Sequence, residues 1–469
     1  MQRDPHADVS LRRAIGRAGF FALAFGAIVG SGWIVVMGDW LRAAGPGGTA
    51  IGFSVGALAM TGAALCYGEL AARSPTVGGE FLYVLNTFGK DVAFWVGWFL
   101  SLYGIAVCAF EAIALGWLFR TLVPGVALPA LYAVRGLPVT LDGLIVGGVG
   151  ALLVGALHSR GAVAAIRFQS IATYGFIALS VGLIACGLSL GHFANAEPLF
   201  PTSDRHSWLI GAAWVFSGCA FFLNGWQSAL HAIEERDADT SVASAIRAMV
   251  AALLVAAAFY VAMVWATATS TPWTALIRND LPAVFAFAHL TENGVLGTVV
   301  LVGAIVSLTK TWTAIAWVAT RLLLAQARHG FLPSALVIVD PVSGAPRRTI
   351  ALVTALTLAG IALGKGGIVP LVNMVATCLA LSIIVCILAL LRQRRLNDAT
   401  PSFSVPGGRP TIWCSLLAAV VMIFMAVAEP WINASEEVPL EWILLTGWGA
   451  TGCVVWTVAR RRRIDSRAA

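Results

Sequence analysis

Two charged side chains stand in this chain where water is not expected. Glu111 lies inside the apolar run 91–119, and Lys310 sits near the middle of the run 295–324, in Ser307-Leu308-Thr309-Lys310-Thr311. Ionisable groups in hydrocarbon are costly and by default functional. Burial disfavours an ammonium relative to a neutral amine, which makes Lys310 a candidate proton carrier. The competing reading is a static contact of Lys310 with Glu111 or with a backbone carbonyl. A second kind of signal is a broken backbone. The apolar run 21–41 carries Gly30-Ser31-Gly32 about halfway along. A bilayer offers no water to freed backbone groups, so such a break survives where it lines a protein cavity, and in transporters such breaks hold substrate. Small residues also let helices approach closely, so a packing motif is the alternative.

The chemistry of such a break is specific. The amides of Ser31, Gly32 and Trp33 begin a second half-helix and have no intrahelical acceptors. They present the positive end of the helix dipole, a ready site for a carboxylate. Glycine suits a turn that needs positive φ or leaves no room for a side chain. The carbonyls near Ala27 and Ile28, and those near Phe216 and Cys219, are placed to face an ammonium. The ligand class is a small zwitterion or an anion-bearing amine. Gly218, Asn224 and Gly225 all fall within the run 208–231. Glycine costs about 1 kcal/mol relative to alanine in a helix and asparagine is also a poor helix former, which predicts a second unwound stretch over 219–225. Phe221, Phe222 and Trp226 flank it as a gate, or else are core or lipid-facing aromatics, and Trp33 adds bulk that narrows the pocket.

These residues need a membrane scaffold to position them. Of the 469 residues, 59% are hydrophobic and 11% charged, against roughly 25% charged in soluble domains. The net charge of +7 is not gathered into a basic domain, so nucleic acid is not an expected partner; the bilayer is. Apolar runs fall at 18–42, 47–71, 91–119, 141–158, 163–190, 208–231, 243–268, 295–324, 349–364, 367–391, 411–429 and 439–459, which predicts twelve membrane helices. The first exceeds 20 residues and is not followed by an Ala-x-Ala site, so it reads as a retained span and not a signal peptide. Leu281–Leu290 is too short to span and is expected as a short helix against the outer face. Arginine and lysine concentrate before span one (Arg3, Arg12, Arg13, Arg17), in the even-to-odd connections and in Arg460–Arg463, while the other side carries scattered cases such as Arg205. By the positive-inside rule both termini are cytoplasmic, which requires an even number of spans.

Other chemistries find little support. All eight cysteines fall in apolar runs without CxxC spacing and read as buried hydrophobes. The histidines, His206 among them, match no metal-ligand spacing. Neither HExxH nor GxxxxGK[ST] occurs, which argues against a zinc hydrolase and an ATP-driven pump. No metal or cofactor is expected, and the chain is not read as an enzyme. An ion channel would not explain paired broken helices. Spans one and six are corresponding first helices of two five-helix halves, and interruptions at equivalent places in two halves are the best sequence pointer to a transporter site.

Four blocks resemble the amino acid–polyamine–organocation superfamily. They are the span-one Gly30-Ser31-Gly32; Tyr67-Gly68-Glu69-Leu70-Ala71 with Pro75, Gly78-Gly79-Glu80 and Tyr83; Gly225-Trp226-Gln227 with Ile233-Glu234-Glu235; and Arg321 with Ala327–Pro333 and Gly344-Ala345-Pro346. The chain departs from the family pattern at Trp33, Gln227 and His329, and has no proline after Glu235. The resemblance implies an all-α membrane fold of twelve helices with a five-plus-five inverted repeat like that of the bacterial leucine transporter, spans one and six unwound, and two further C-terminal helices. The expected divisions are a cytoplasmic N-terminus 1–17, repeats 18–190 and 208–391, helices over 411–459 and a cytoplasmic basic tail 460–469.

The resemblance also implies a substrate and a coupling scheme: α-amino acids moved across a bacterial cytoplasmic membrane by alternating access. In sodium-coupled relatives span eight supplies hydroxyl ligands to an ion bridging spans one and eight. Thr309 and Thr311 could play that part, but the Lys310 ammonium would repel the ion, so a proton and not sodium is the expected partner. Some proton-coupled members place a lysine on span five; Thr173-Tyr174-Gly175-Phe176 has none here, and Lys310 is expected to take over by donating to the Ala27 and Ile28 carbonyls. Glu69 and Arg321, near the inner ends of spans two and eight, are expected in structural or gate ion pairs. Uptake and exchange both remain open, as do a monomer and a homodimer. The alternative substrate is an amine such as ethanolamine or a polyamine.

Overall fold

A computed structural model describes residues 15–74, 79–126, 128–201, 208–233, 236–291, 294–396, 401–432 and 438–468. Arg3, Arg12, Arg13, Pro75, Gly78, Arg205, His206, Glu234 and Glu235 lie outside them. Among the described residues, 11 helical segments are long and apolar enough to cross a membrane. The predicted ninth span forms Arg347–Ile361, 15 residues, or about 22 Å at 1.5 Å per residue, short of the roughly 30 Å hydrocarbon core. The predicted twelve full-length spans are thus eleven plus one short helix. Gly364, at φ 53°, then turns the chain into Ile368–Leu396, span ten.

Span one is built in pieces. Helix Arg17–Ile28 ends in extended backbone at Val29 (φ −90°, ψ 95°), and a single turn, Gly32–Val35, follows. The next helix, Met37–Arg73, is bent at Gly45 (φ 66°, ψ 178°), with Pro46 directly after it. Only glycine takes this φ without strain, and proline suits the first turn of a new helix because it has no amide to satisfy. Residues 37–44 therefore complete span one and 46–73 form span two, close to the predicted limits.

Spans three, four and five are Lys90–Leu122, Leu141–Ser159 and Ala162–Leu190. Span six runs as Trp208–Phe222, breaks, and resumes as Gln227–His231. The break is later and shorter than predicted. Gly218 and Cys219 are helical, and the Cys219 carbonyl accepts the Leu223 amide at 3.0 Å. One glycine is a small penalty that packing absorbs; the helix is ended by Gly225, at φ 107°. Spans seven and eight are Val242–Ser270 and Val295–Arg328, and spans eleven and twelve are Arg409–Ile432 and Leu440–Ala468. The predicted short helix appears as Pro282–Ala288, preceded by Trp273–Leu276.

The helical fold carries one short addition: Ala130–Val134 pairs antiparallel with Leu137–Thr140 between spans three and four. Arg135 (φ 50°) and Gly136 (φ 75°) supply the two positive φ angles that a type I′ hairpin turn requires. The cysteines are not all buried, since Cys414 and Cys453 are exposed on spans eleven and twelve.

Ionic and indole contacts lock the assembly away from its centre. Glu69, fully buried at the end of span two, accepts Arg73 at 2.9 and 3.0 Å, the Val405 amide at 2.8 Å, and Arg394 of span ten through both guanidinium contacts. Trp98 of span three and Trp448 of span twelve stack at 4.5 Å and donate to each other's carbonyls at 2.9 and 3.0 Å. In the connection from span eight to span nine, Asp340 accepts hydrogen bonds from Ser343 and the Val342 amide, which hold its carboxyl below the usual carboxylate range.

Candidate functional site

The two breaks meet at the centre. A Cβ on Gly225 would lie 2.5 Å from the Ala27 carbonyl oxygen, and one on Gly32 would lie 2.6 Å from two ring atoms of Phe222. Glycine is therefore required at both places by close approach, and at Gly225 by its φ as well. A small cavity lies between the breaks, lined by Ala27, Ile28, Gly30, Gly32, Tyr103, Val107, Glu111, Phe221, Phe222, Asn224, Tyr260, Thr311 and Ile315.

One wall belongs to span three. Tyr103, Val107 and Glu111 follow at four-residue spacing, one helical face. The Ser31 hydroxyl donates to Glu111 Oε2 at 2.6 Å, the carboxylate faces the Ser31 amide, and its Oε1 lies against Gly30. Glu111 thus already occupies part of the anion-binding start of the second half-helix. The opposite wall is the span-six break, held open by side chains. Asn224 donates to Tyr103 Oη at 2.7 Å, Gln227 Nε2 donates to Asn224 Oδ1 at 2.6 Å, and the Gly225 amide donates to Gln227 Oε1 at 3.0 Å. These bonds satisfy backbone and amide groups that an unwound helix would otherwise leave buried and unpaired.

Lys310 is fully buried on the far side of span one. Its ammonium donates to the Gly26 carbonyl at 3.2 Å and to the Val29 carbonyl, and lies 4.8 Å from the centre of the Phe176 ring, a favourable cation–π position. Thr311 Oγ1 lies 2.9 Å from both of those carbonyls, and Ser307 Oγ reaches the Val29 and Gly30 carbonyls at 2.9 and 2.8 Å. The acceptors are not the predicted Ala27 and Ile28. At a helix end the carbonyls facing one neighbour recur every three to four residues, and span eight meets those of 26 and 29. Lys310 and Glu111 form no ion pair with each other among the described residues; each is bonded to span one.

Several predicted site residues sit elsewhere. Trp33 packs on Phe176 and Phe259 at 6.3 and 5.8 Å, away from the cavity. Trp226 stacks edge-on to Tyr67 at 5.0 Å. Cys219 points at span two, its thiol 3.8 Å from the Gly52 carbonyl, and Phe216 is one turn before it within the same regular helix. Thr309 bonds back to the Ile305 carbonyl at 2.7 Å and faces away from Lys310's partners. Glu69 pairs with Arg73 and Arg394, and Arg321 stacks on Trp317 at 4.4 Å. Phe221 and Phe222 do line the cavity, and Phe222 is clamped edge-on to Trp40 at 4.7 Å.

Tyr103, Tyr260 and the Gly26 and Val29 carbonyls were not among the predicted site residues. Tyr103 had a signal, its spacing of eight from Glu111 on one helical face; the carbonyls had none.

Comparison with known proteins agrees in kind. The family model described as amino acid permease matches residues 15–456. The chain is 29% identical to the methylthioribose transporter of Bacillus subtilis, over 97% of this chain and 94% of that one. It is 26% identical to the branched-chain amino acid permease BcaP of the same organism, over 93% and 92% of the two chains. It is 29% identical to the chloroplastic cationic amino acid transporter 9 of Arabidopsis thaliana, over 71% of this chain and 58% of the relative.

Proposed function

Because the chain belongs to the amino acid permease family, we propose that it carries an amino acid across a bacterial cytoplasmic membrane by alternating access, coupled to protons or in exchange. The five-plus-five repeat, with both termini cytoplasmic, is part of that reading. The observation that carries it is Lys310, whose ammonium joins span eight to the Gly26 and Val29 carbonyls where the first half of span one ends. Protonated, it ties the two spans; on losing its proton it gives up donors and charge together, and the first half of span one is free to tilt. The substrate carboxylate takes the amides at Gly32 and Trp33, its ammonium faces the Ala27 and Ile28 carbonyls, and Phe221 and Phe222 close over it. Lys310→Ala should lose uptake driven by a pH gradient in proteoliposomes yet keep part of its substrate exchange, and wild-type uptake should be indifferent to sodium. Gradient-driven uptake by the alanine variant, or a sodium requirement in the wild type, overturns this assignment.

A specific observation favours a second reading. Glu111 fills part of the anion site with a carboxylate of the protein's own, which suits a substrate without one: an amine such as ethanolamine or a polyamine, or a neutral sugar of the kind the methylthioribose transporter's name indicates. Thermal stabilisation of the purified protein separates the two. Under the first reading a transported amino acid stabilises it and its decarboxylated amine does not; equal shifts, or a shift with methylthioribose alone, establish the second.

A further inference from the structure

Span five carries a polar side chain that this coupling scheme leaves unused. Gln169 is 2% exposed, and neither atom of its amide meets a hydrogen-bond partner among the described residues. Native proteins seldom keep such a group except beside water or a ligand. The amide is pressed against Gly26, where a Cβ would collide with its nitrogen. Gly26 is also the residue whose carbonyl accepts Lys310 at 3.2 Å, so glutamine and lysine flank one residue of span one.

Gln169 also lines a cavity, with Leu23, His158, Ser228, Thr313, Ala314 and Trp317 around it. Ala314 follows Lys310 by four residues, so the cavity begins one helical turn from Lys310 along span eight. From there it runs along the halves of spans one, five and eight that lead to the face bearing the N-terminal helix. The other polar side chains on its wall are engaged: Ser228 donates to the Leu23 carbonyl at 3.2 Å, and His158 Nε2 lies 3.0 Å from the Thr313 carbonyl. Gln169 keeps two donors and an acceptor, enough to hold water in a site that needs two to four polar partners per molecule.

We propose that this cavity binds a short file of water, oriented by Gln169, through which Lys310 exchanges its proton with the N-terminal side of the membrane. The proposal rests on Lys310 as the coupling group. Among the described residues Glu111 on span three is the charged group in electrostatic reach of Lys310. His158 on span four lines the same cavity, and Arg321 stacks on another lining residue, Trp317 of span eight. The proton leaves the ammonium for the nearest water and returns by the same file, so no other co-reactant is required. Gln169 is a positioning residue.

The test uses the full chain in liposomes, with Cys414 and Cys453 replaced by serine. Ala314→Cys should react with a membrane-impermeant methanethiosulfonate reagent added on the N-terminal side and not on the other. Gln169→Leu should slow gradient-driven uptake about tenfold or more, leave substrate exchange within about twofold, and be rescued in part by Gln169→Glu. A cysteine at 314 that resists the reagent from both sides, or unchanged gradient-driven uptake in Gln169→Leu, overturns the water file even when Lys310→Ala abolishes coupling. Retained coupling in Lys310→Ala instead overturns the reading beneath it.

Discussion

Gly32→Leu is expected to lower substrate affinity by about a hundredfold or more, equivalent to roughly 2.7 kcal/mol, while the protein still folds. A Cβ at this position would already stand 2.6 Å from two atoms of the Phe222 ring. That ring has little room to retreat, because Trp40 stands 4.7 Å away, Phe221 4.9 Å, Tyr260 6.3 Å and Phe53 6.4 Å. Added bulk therefore moves into the cavity and over the amides of the second half-helix. Binding of a radiolabelled substrate to protein in nanodiscs, read beside the thermal midpoint, separates lost affinity from lost fold. Gly32→Ala should lose less, and adding Phe222→Leu to it should restore part of the loss. Wild-type affinity in Gly32→Leu would remove the span-one break from the substrate site.

The second large effect concerns stability. Glu69→Ala should destabilise the protein by roughly 3 kcal/mol, the lower end for breaking a buried ion pair. The carboxylate side chain is fully buried, but Arg73 and Arg394 keep 13% and 20% of their side-chain surface, so water relieves part of the stranded charge. The variant also strands the Val405 amide, which donates to the same carboxylate at 2.8 Å. Glu69→Gln keeps an acceptor and should lose less. Denaturant or thermal unfolding in a mild detergent reads the order wild type, glutamine, alanine; an alanine variant as stable as wild type would show that this carboxylate does not hold spans two and ten together.

What could be read from the chain follows from where each signal is written. Hydropathy marks spans because the bilayer acts on every residue of a run, yet it says nothing of length near the threshold, as Arg347–Ile361 shows. The break in span one was legible because Gly30-Ser31-Gly32 is a local signature. That in span six was displaced, because Gly218 resembles Gly225 in sequence and differs only in φ. Lys310 was legible because the chain has three lysines and one of them sits in mid-span. Its acceptors were not, because which carbonyls face span eight depends on the rotation of two helices about their axes. The same rotation sends Trp33, Trp226 and Cys219 away from the cavity their neighbours line, at about 100° per residue. Gln169 and the Arg135-Gly136 hairpin left no pattern longer than a residue or two.

Lys310 is attached to the chain it serves. An ion drawn from solution fills its site in proportion to its concentration, whereas a tethered group acts at an effective concentration fixed by its linkage. The carbonyls at Gly26 and Val29 therefore have an amine beside them in any medium, and on the coupling proposed above no metal is captured before a cycle or shed after it. Dilution cannot empty this position and a competing salt has no free ion to displace. On the coupling proposed above, supply of the cation drops out of the kinetics, and what remains variable is whether one nitrogen carries a proton.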